Sequence, residues 1–460
     1  MYLLNICNRF LNKFGLLILI ISSWALYPWA MSWFYPNAVR LIFTLWFIII
    51  LVWISFKKNI LTNLKLRSAE KIIFLLWLVY LFFTLIATLI SKEASLELFL
   101  RYTLKSVFFI FLFVFIDKKT LVKSFDVYSN LTTFLVCLSL LALLGIYYGV
   151  IQPTNILVTR GTSLPSNVGF VFSGFDANIR IFPTSPFFTR MQSFAIEPGA
   201  CALAILPAFY WFVLFRKNLF KSIILILGIA ATWSLGALIT MCLIFIILFF
   251  NNSVSKSKKQ ILLFAILFFV SSHSLFTLFA SSNFNNPIAN KLKIIVPDPD
   301  DPENYNQNIG KPSVGLNMIA GERNTSFNQR KRESTKALKE LVTNLKGVGF
   351  NQGSVVLKTP ISVGYINVLI DSGLLGGIFY GLVILSVSWC AIKVGVGNAI
   401  FKLESDKASI NTFLAASVLS SLFYGLQREQ PMSSYWNMWL LACFFHEYRK
   451  INLNLKTINE

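Results

Sequence analysis

Long uncharged apolar runs, separated by short basic stretches, dominate this chain. Leu41 to Phe56, Ile72 to Ile90 and Leu235 to Phe250 contain no charged residue. Their lengths, roughly 16–20 residues, approach what a helix needs to cross about 30 Å of hydrocarbon. Run length, more than total apolar content, separates a membrane span from the core of a large soluble protein. Backbone groups in lipid must bond to one another, so these runs are read as helices rather than strands. The pattern predicts helices at 15–34, 39–56, 72–91, 104–116, 128–150, 199–215, 221–233, 235–250, 260–279, 374–393, 408–425 and 433–446. The pair 221–233 and 235–250 has a second reading as one long tilted helix, which would reverse the sidedness of all that follows.

Charge placement then orients the helices. Lys57, Lys58, Lys65, Arg67 and Lys71 form one basic loop, and Lys118, Lys119 and Lys123 another. Arg216, Lys217 and Lys221, then Lys256, Lys258 and Lys259, then Lys393, Lys402 and Lys407 form three more, with Arg449 and Lys450 in the tail. With twelve spans all of them fall on one face, together with both termini, and the excess of Lys and Arg makes that face cytoplasmic. The expectation is an all-α polytopic bundle of about twelve spans. Its divisions are N-terminal helices (1–150), a first outward segment (151–198), central helices (199–279), a large outward loop (280–373), and C-terminal helices with a cytoplasmic tail (374–460).

Composition agrees: 56% of residues are hydrophobic and 13% charged, a balance that a soluble domain could not keep out of water. The net charge of +21 follows the loops and is not read as nucleic-acid binding. The six cysteines lie in the N-terminal tail or in apolar runs, so no disulfide framework is expected. With no CxxC or HExxH spacing, and only His273 and His446, no metal site and no cofactor are expected.

The large outward loop opens with a mobile turn region rich in Pro and acid, Pro297 to Glu303, and then turns helical. Ser334 can cap a helix that carries Leu338, Leu341, Val342 and Leu345 on one stripe. Lys336, Lys339 and Lys346 lie off that stripe, and Gly347 closes the helix. Such a basic amphipathic helix suits a membrane surface or a lip over a cavity.

Arginines stand where an outward face should be poor in them. Arg160, Arg180 and Arg190 lie in the first segment and Arg323, Arg330 and Arg332 in the second. A guanidinium fork binds phosphate oxygens in pairs and stays charged at any workable pH. Two such segments point to a clamp for a phosphorylated lipid, against the plainer alternative of solvated surface charges. The run Thr189 to Ala200 is the sharpest local signal. Pro198 suits the first turn of a helix, and Glu197 then faces the favourable end of its dipole. Glu197 reads equally as a general base for an acceptor hydroxyl or as a cap paired with Arg190 or Arg180. Further on, Gly347-Val348-Gly349-Phe350 forms a tight turn. Asn367 and Asp371, one helical turn apart, either hold sugar hydroxyls together with Tyr365 or hold each other. Gly373, Gly376 and Gly377 read as close helix packing.

In this order the features resemble the O-antigen polymerase and ligase superfamily over roughly 155–390. The matching elements are an Arg followed by Glu-Pro opening a mid-chain helix, and Ser234 to Leu238 resembling the family's Ser-Arg-x-Ala helix start. The others are an arginine-bearing loop with a helix ending in Gly-x-Gly, and an Asn-x3-acid-x-Gly lead-in to the next span. Two departures stand out. Gly236 follows Leu235 where the family's arginine is expected, and Gly364 and Tyr365 occupy the place of the ligase branch's histidine. The missing histidine favours the polymerase branch. The resemblance implies a bacterial inner-membrane enzyme that joins glycans carried on undecaprenyl pyrophosphate at the outer leaflet, without a metal. It implies a lipid-linked donor and acceptor and a chain-length-regulating co-polymerase as partner. Arg190, Arg180 and Arg330, backed by Arg160, Arg323 and Arg332, would steady the leaving pyrophosphate, and Glu197 or Asp371 would take the proton. A ligase acting on lipid A core keeps most of these features. A lipid-linked oligosaccharide transporter fits less well, because the halves show no repeat and charges gather at helix ends.

Overall fold

A computed structural model describes residues 68–91, 94–100, 102–103, 118–147, 154–158, 166–170, 198–251, 254–279, 334–357, 363–396 and 405–428, with isolated positions 150, 191, 440–441 and 444–445. The predicted helices 15–34, 39–56 and 104–116 lie outside these residues, as does most of 433–446. Helices α1 (Ser68–Ile90), α2 (Lys118–Tyr147), α3 (Pro198–Tyr210), α4 (Leu219–Ala231), α5 (Leu235–Phe249) and α6 (Lys256–Phe279) come first. They are followed by α7 (Gly353–Val356), α8 (Gly364–Val396) and α9 (Ser405–Arg428). Residues 334–343 are also helical. Apart from this packed helical body, Thr154–Val158 pairs antiparallel with Ser166–Phe170, Thr154 opposite Phe170.

Four stretches among the described residues are long and apolar enough to cross a bilayer: Glu70–Ile90, Leu121–Gly145, Gly199–Arg216 and Gly364–Gly395. Apart from residues near their ends, such as Lys71, Lys123 and Lys393, most of their exposed side chains are apolar as well. Along α1, Ile72, Leu75, Phe82 and Leu89 are exposed, and along α2 Phe134, Leu141 and Leu144. A soluble monomer rarely shows apolar patches of that extent, whereas lipid accepts them. The bundle is therefore built for hydrocarbon surroundings.

Centre and periphery are set by residue size. Nearly every side chain of α3 from Ala200 to Leu214 is buried, and small residues (Gly199, Ala200, Cys201, Ala202, Ala204 and Ala208) let neighbouring helices approach. Pro207 removes one hydrogen-bond donor from α3, and the helix widens into a π turn over Trp211–Arg216 before Lys217 ends it at φ 52°. On α4, Gly228 faces Val136 of α2 so closely that a Cβ would meet its Cγ1 at 2.5 Å.

The 219–249 region resolves into two helices. Asn218 caps α4 by accepting from Lys221 N–H, and Ser234 caps α5 by accepting from Ala237 N–H. Between them Trp233 adopts φ 52°, which breaks the helical path. The single tilted helix is thereby excluded, and its physical reason is a serine cap placed directly after a left-handed residue.

Contacts sort the helix ends into two sets. At one end, Arg216 forms an ion pair with Asp126 and Lys221 donates to Asn130, joining α2, the π turn and α4. Trp211 Nε1 donates to the same aspartate at 3.0 Å. Lys258 donates to the Leu214 carbonyl, Lys259 to the Phe249 carbonyl and Asn251 to the Gly395 carbonyl. This basic end thus gathers the start of α6 and the finish of α3, α5 and α8. The opposite end holds the finish of α1 and α4 and the start of α5, and Met191 N–H donates to the Ala231 carbonyl there at 2.8 Å.

Candidate functional site

The most elaborate local structure stands at the end away from the Arg216–Asp126 pair and Lys258. Helix α8 breaks at Gly373, where φ is 75° and ψ −179°, a conformation open to glycine and strained for other residues. The break folds the chain back on itself. Tyr365 Oη donates to the Gly377 carbonyl at 3.2 Å, although a straight helix would hold residues that far apart in sequence about 18 Å apart. The Tyr365 and Tyr380 rings lie 6.3 Å apart, and Leu369 fills the space where Gly377 lacks a side chain. Residues 364–372 therefore form a short arm that rises beside 374–396 and turns at Gly373. Facing 374–396 from α1, Tyr80 meets Tyr380 at 5.0 Å and Phe83 stacks on Phe379 at 5.7 Å. These contacts put Tyr365 near the middle of α1.

A helix broken in apolar surroundings leaves backbone groups that need partners. Residues 345–349 supply them. Val348 N–H donates to the Ile370 carbonyl at 2.9 Å, and Gly349 N–H to the Asp371 carbonyl at 3.0 Å. In return Leu374 N–H donates to the Leu345 carbonyl at 3.0 Å. Such close backbone pairing leaves no space for side chains at the crossing. Gly347 has φ 87°, and a Cβ there would collide with backbone atoms of Asp371, Ser372 and Gly373. Gly349, at φ 97°, sits against Ser91 and Ala94 at the end of α1.

Asp371 completes the lock. Its side chain is 2% exposed. Oδ2 accepts from Asn351 N–H and Oδ1 from Gly353 N–H, both at 2.9 Å, while the Gln352 N–H between them donates to the Gly349 carbonyl at 3.2 Å. Two backbone donors converging on one carboxylate fix the turn 350–353, in which Asn351 takes φ 60°. Phe350 N–H donates to Thr88 Oγ1 at 3.1 Å, and the Phe350 ring leans on Phe99 and Tyr102 at 6.0 and 4.9 Å. Helix α1, the turn and the arm thus form one rigid unit.

The expected site residues divide accordingly. Asp371, Asn367 and Tyr365 lie on the arm, but Asp371 binds the 351–353 backbone and Tyr365 the Gly377 carbonyl. Asn367 Oδ1 is buried and takes no hydrogen bond from the described residues. Arg160, Arg180, Arg190, Arg323, Arg330, Arg332 and Glu197 lie outside the described residues. Their nearest described neighbours are informative: Met191, next to Arg190, bonds to Ala231 beside the Ser234 cap, and Pro198 begins α3 as its residue type predicts. Sequence reasoning placed Phe350 in a tight turn but missed its partner Thr88 and the donors at 351 and 353. A glycine pair at 347 and 349 facing a glycine at 373 was the signal available, since unrelated small residues seldom need one another unless two backbones touch.

The amphipathic helix also differs in detail from its prediction. Only Leu341 of the expected stripe is buried, joined by Ala337, which packs on Val348 and Ile370. Leu338, Val342 and Leu345 are exposed. Gly347 does close this segment with a positive φ, as its residue type predicts.

Fold and local structure together define a helical membrane protein with a backbone-locked, re-entrant turn at the end of the bundle opposite the Arg216–Asp126 pair. No protein-family model, curated protein or solved structure matches this chain.

Proposed function

We propose that this protein is a membrane glycosyltransferase that joins undecaprenyl-pyrophosphate-linked oligosaccharide units into a polysaccharide at the outer face of the bacterial inner membrane. In this reading it has about twelve spans and both termini in the cytoplasm. One observation carries the proposal. The Gly-x-Gly turn and the Asn-x3-Asp-x-Gly lead-in, matched separately in sequence, interlock through their backbones at one end of the bundle. The Ser234 helix start and the residue following Arg190 meet at that same end, through the Met191–Ala231 bond. Elements scattered over some 180 residues thus share one end of the bundle, as the resemblance implies.

In the proposed reaction the terminal sugar hydroxyl of one lipid-linked unit attacks the anomeric carbon of another. A new glycosidic bond forms, the bond to pyrophosphate breaks, and undecaprenyl pyrophosphate leaves with the electron pair. Arg190, Arg180 and Arg330, with Arg160, Arg323 and Arg332 behind them, neutralise the charge that grows on the leaving group. The acceptor proton goes to Glu197, because the Asp371 carboxylate is already committed to backbone donors. Asp371 is then a positioning residue, and the Asn367 carboxamide, with Tyr365 beside it, is offered to sugar hydroxyls. A polysaccharide co-polymerase that sets chain length is the partner this activity calls for.

The test is the length distribution of surface glycan in a deletion strain complemented with wild type, Arg190→Ala or Glu197→Ala, with membrane insertion checked for each. A single repeat unit on the final acceptor, in both the deletion and the inserted variants, supports the polymerase. Full-length chains accumulating on the carrier lipid would make the protein a ligase. Single units stranded on the cytoplasmic leaflet would make it a transporter and discard the mechanism.

A further inference from the structure

Residues 334–343 have more to do than close the loop. At about 100° per residue, the helix divides into three sectors. Ala337 and Leu341 are buried, Ala337 against Val348 and Ile370. The next sector holds Leu338, Val342 and, in the following turn, Leu345, at 48%, 75% and 56% exposure. Beyond it lie Lys336, Lys339 and Lys346, all exposed. A helix that merely capped the bundle would turn its second apolar sector inward or replace it with polar residues.

What covers that sector is indicated by its neighbour. Leu345 bonds directly to Leu374, which opens the exposed apolar stripe Leu374, Leu375, Ile378, Leu382 and Leu385 of α8. The apolar face of the helix therefore continues the surface that α8 presents to lipid. Adjacent lysines on long stems suit the level of phosphate headgroups, where ammonium groups can stay in water while their methylenes lie on acyl chains. We infer that residues 334–346 form an in-plane anchor that lies in the bilayer interface and binds anionic phospholipid headgroups through Lys336, Lys339 and Lys346. Because this helix is joined by Gly347 to the turn that Asp371 locks, the anchor fixes the height of the re-entrant arm relative to the membrane surface. The inference rests on the membrane assignment and stands independently of the proposed reaction.

Photo-cross-linking of the full-length protein in lipid nanodiscs tests it. A benzoylphenylalanine is placed at Val342, at Thr343 on the polar side, or at Leu382 as a span control, and products are weighed by mass spectrometry. The expected result is a mass increase of one phospholipid at Val342, in yield comparable with Leu382 and well above Thr343. In discs mixing phosphatidylcholine and phosphatidylglycerol, the Val342 adduct should favour phosphatidylglycerol. Lys336→Gln, Lys339→Gln or Lys346→Gln should lower that preference by up to about fivefold each. No lipid adduct at Val342 while Leu382 still reacts would overturn the anchor. So would a protein–protein adduct at Val342, which would mean that another chain or segment covers the face. An adduct indifferent to headgroup charge and to the lysine changes would refute headgroup binding.

Discussion

Gly373→Ala is the sharpest perturbation of the locked turn. An alanine at φ 75° and ψ −179° carries backbone strain of about 1–3 kcal/mol. Its Cβ would also stand 2.5 Å from the Leu345 oxygen and the Lys346 carbonyl carbon, atoms that cannot rotate aside. Relief requires residues 345–349 to withdraw, and withdrawal gives up three backbone hydrogen bonds of 2.9–3.0 Å at about 1 kcal/mol net each. Together these amount to about 4 kcal/mol or more of local stability. Gly395→Ala, in regular helix and facing only the Ile247 Cγ2 at 3.0 Å, is the control and should be close to neutral. Hydrogen exchange followed by mass spectrometry in detergent or nanodiscs reads the difference. Peptides covering Val348, Gly349 and Leu374 should exchange about 10³-fold faster in Gly373→Ala and at the wild-type rate in Gly395→Ala, since 1.4 kcal/mol is a factor of ten. Wild-type protection in the Gly373→Ala protein would refute the description of 364–372 as an arm folded back at a glycine-only turn.

Three other substitutions probe separate contacts. Asp371→Ala leaves the buried Gly353 donor without an acceptor, at about 1–3 kcal/mol, and gives up the part-buried Asn351 bond as well, whereas Asp371→Asn keeps one acceptor oxygen. Protease cleavage within 345–357 should therefore rise more in Ala than in Asn, and equal cleavage would show that the carboxylate does not hold the turn. Tyr365→Phe should lower stability by about 1 kcal/mol through loss of the bond to Gly377, and Tyr365→Ala by about 2–3 kcal/mol, in thermal unfolding of the purified protein. Arg216→Gln removes the ionic partner of Asp126 at a partly exposed site and leaves the Trp211 bond to that aspartate in place, so the change in melting temperature should be small, at most about 1 kcal/mol in stability, and should shrink as salt is added.

The order and extent of most described helices follow from the sequence because a bilayer imposes a simple rule. An apolar run of sufficient length must be a helix, and charged residues must stay at its ends. That rule placed α1, α3, α5 and the start of the 374–396 span within a few residues. It placed the beginning of α2 about ten residues late, because Lys118, Lys119, Lys123 and Asp126 belong to the helix but sit beyond hydrocarbon depth. The separate identity of α4 and α5 was legible once Ser234 was given its capping role, since a residue suited to starting a helix argues that the previous one has stopped.

The composition of the candidate site was legible and its arrangement was not. Gly347, Gly349, Asn367, Asp371 and Gly373 stood out as residue types suited to turns, caps and polar contacts. Pairing Asp371 with Asn367 followed from helical spacing alone; the arm keeps that spacing, but the carboxylate binds the Asn351 and Gly353 backbone instead. Which donors reach a buried carboxylate, and which face of an amphipathic helix turns inward, depend on segments brought together from distant parts of the chain. Local pattern carries only the periodicity of one element. Only the tertiary structure decides which of its neighbours satisfies each backbone group that the broken helix leaves open.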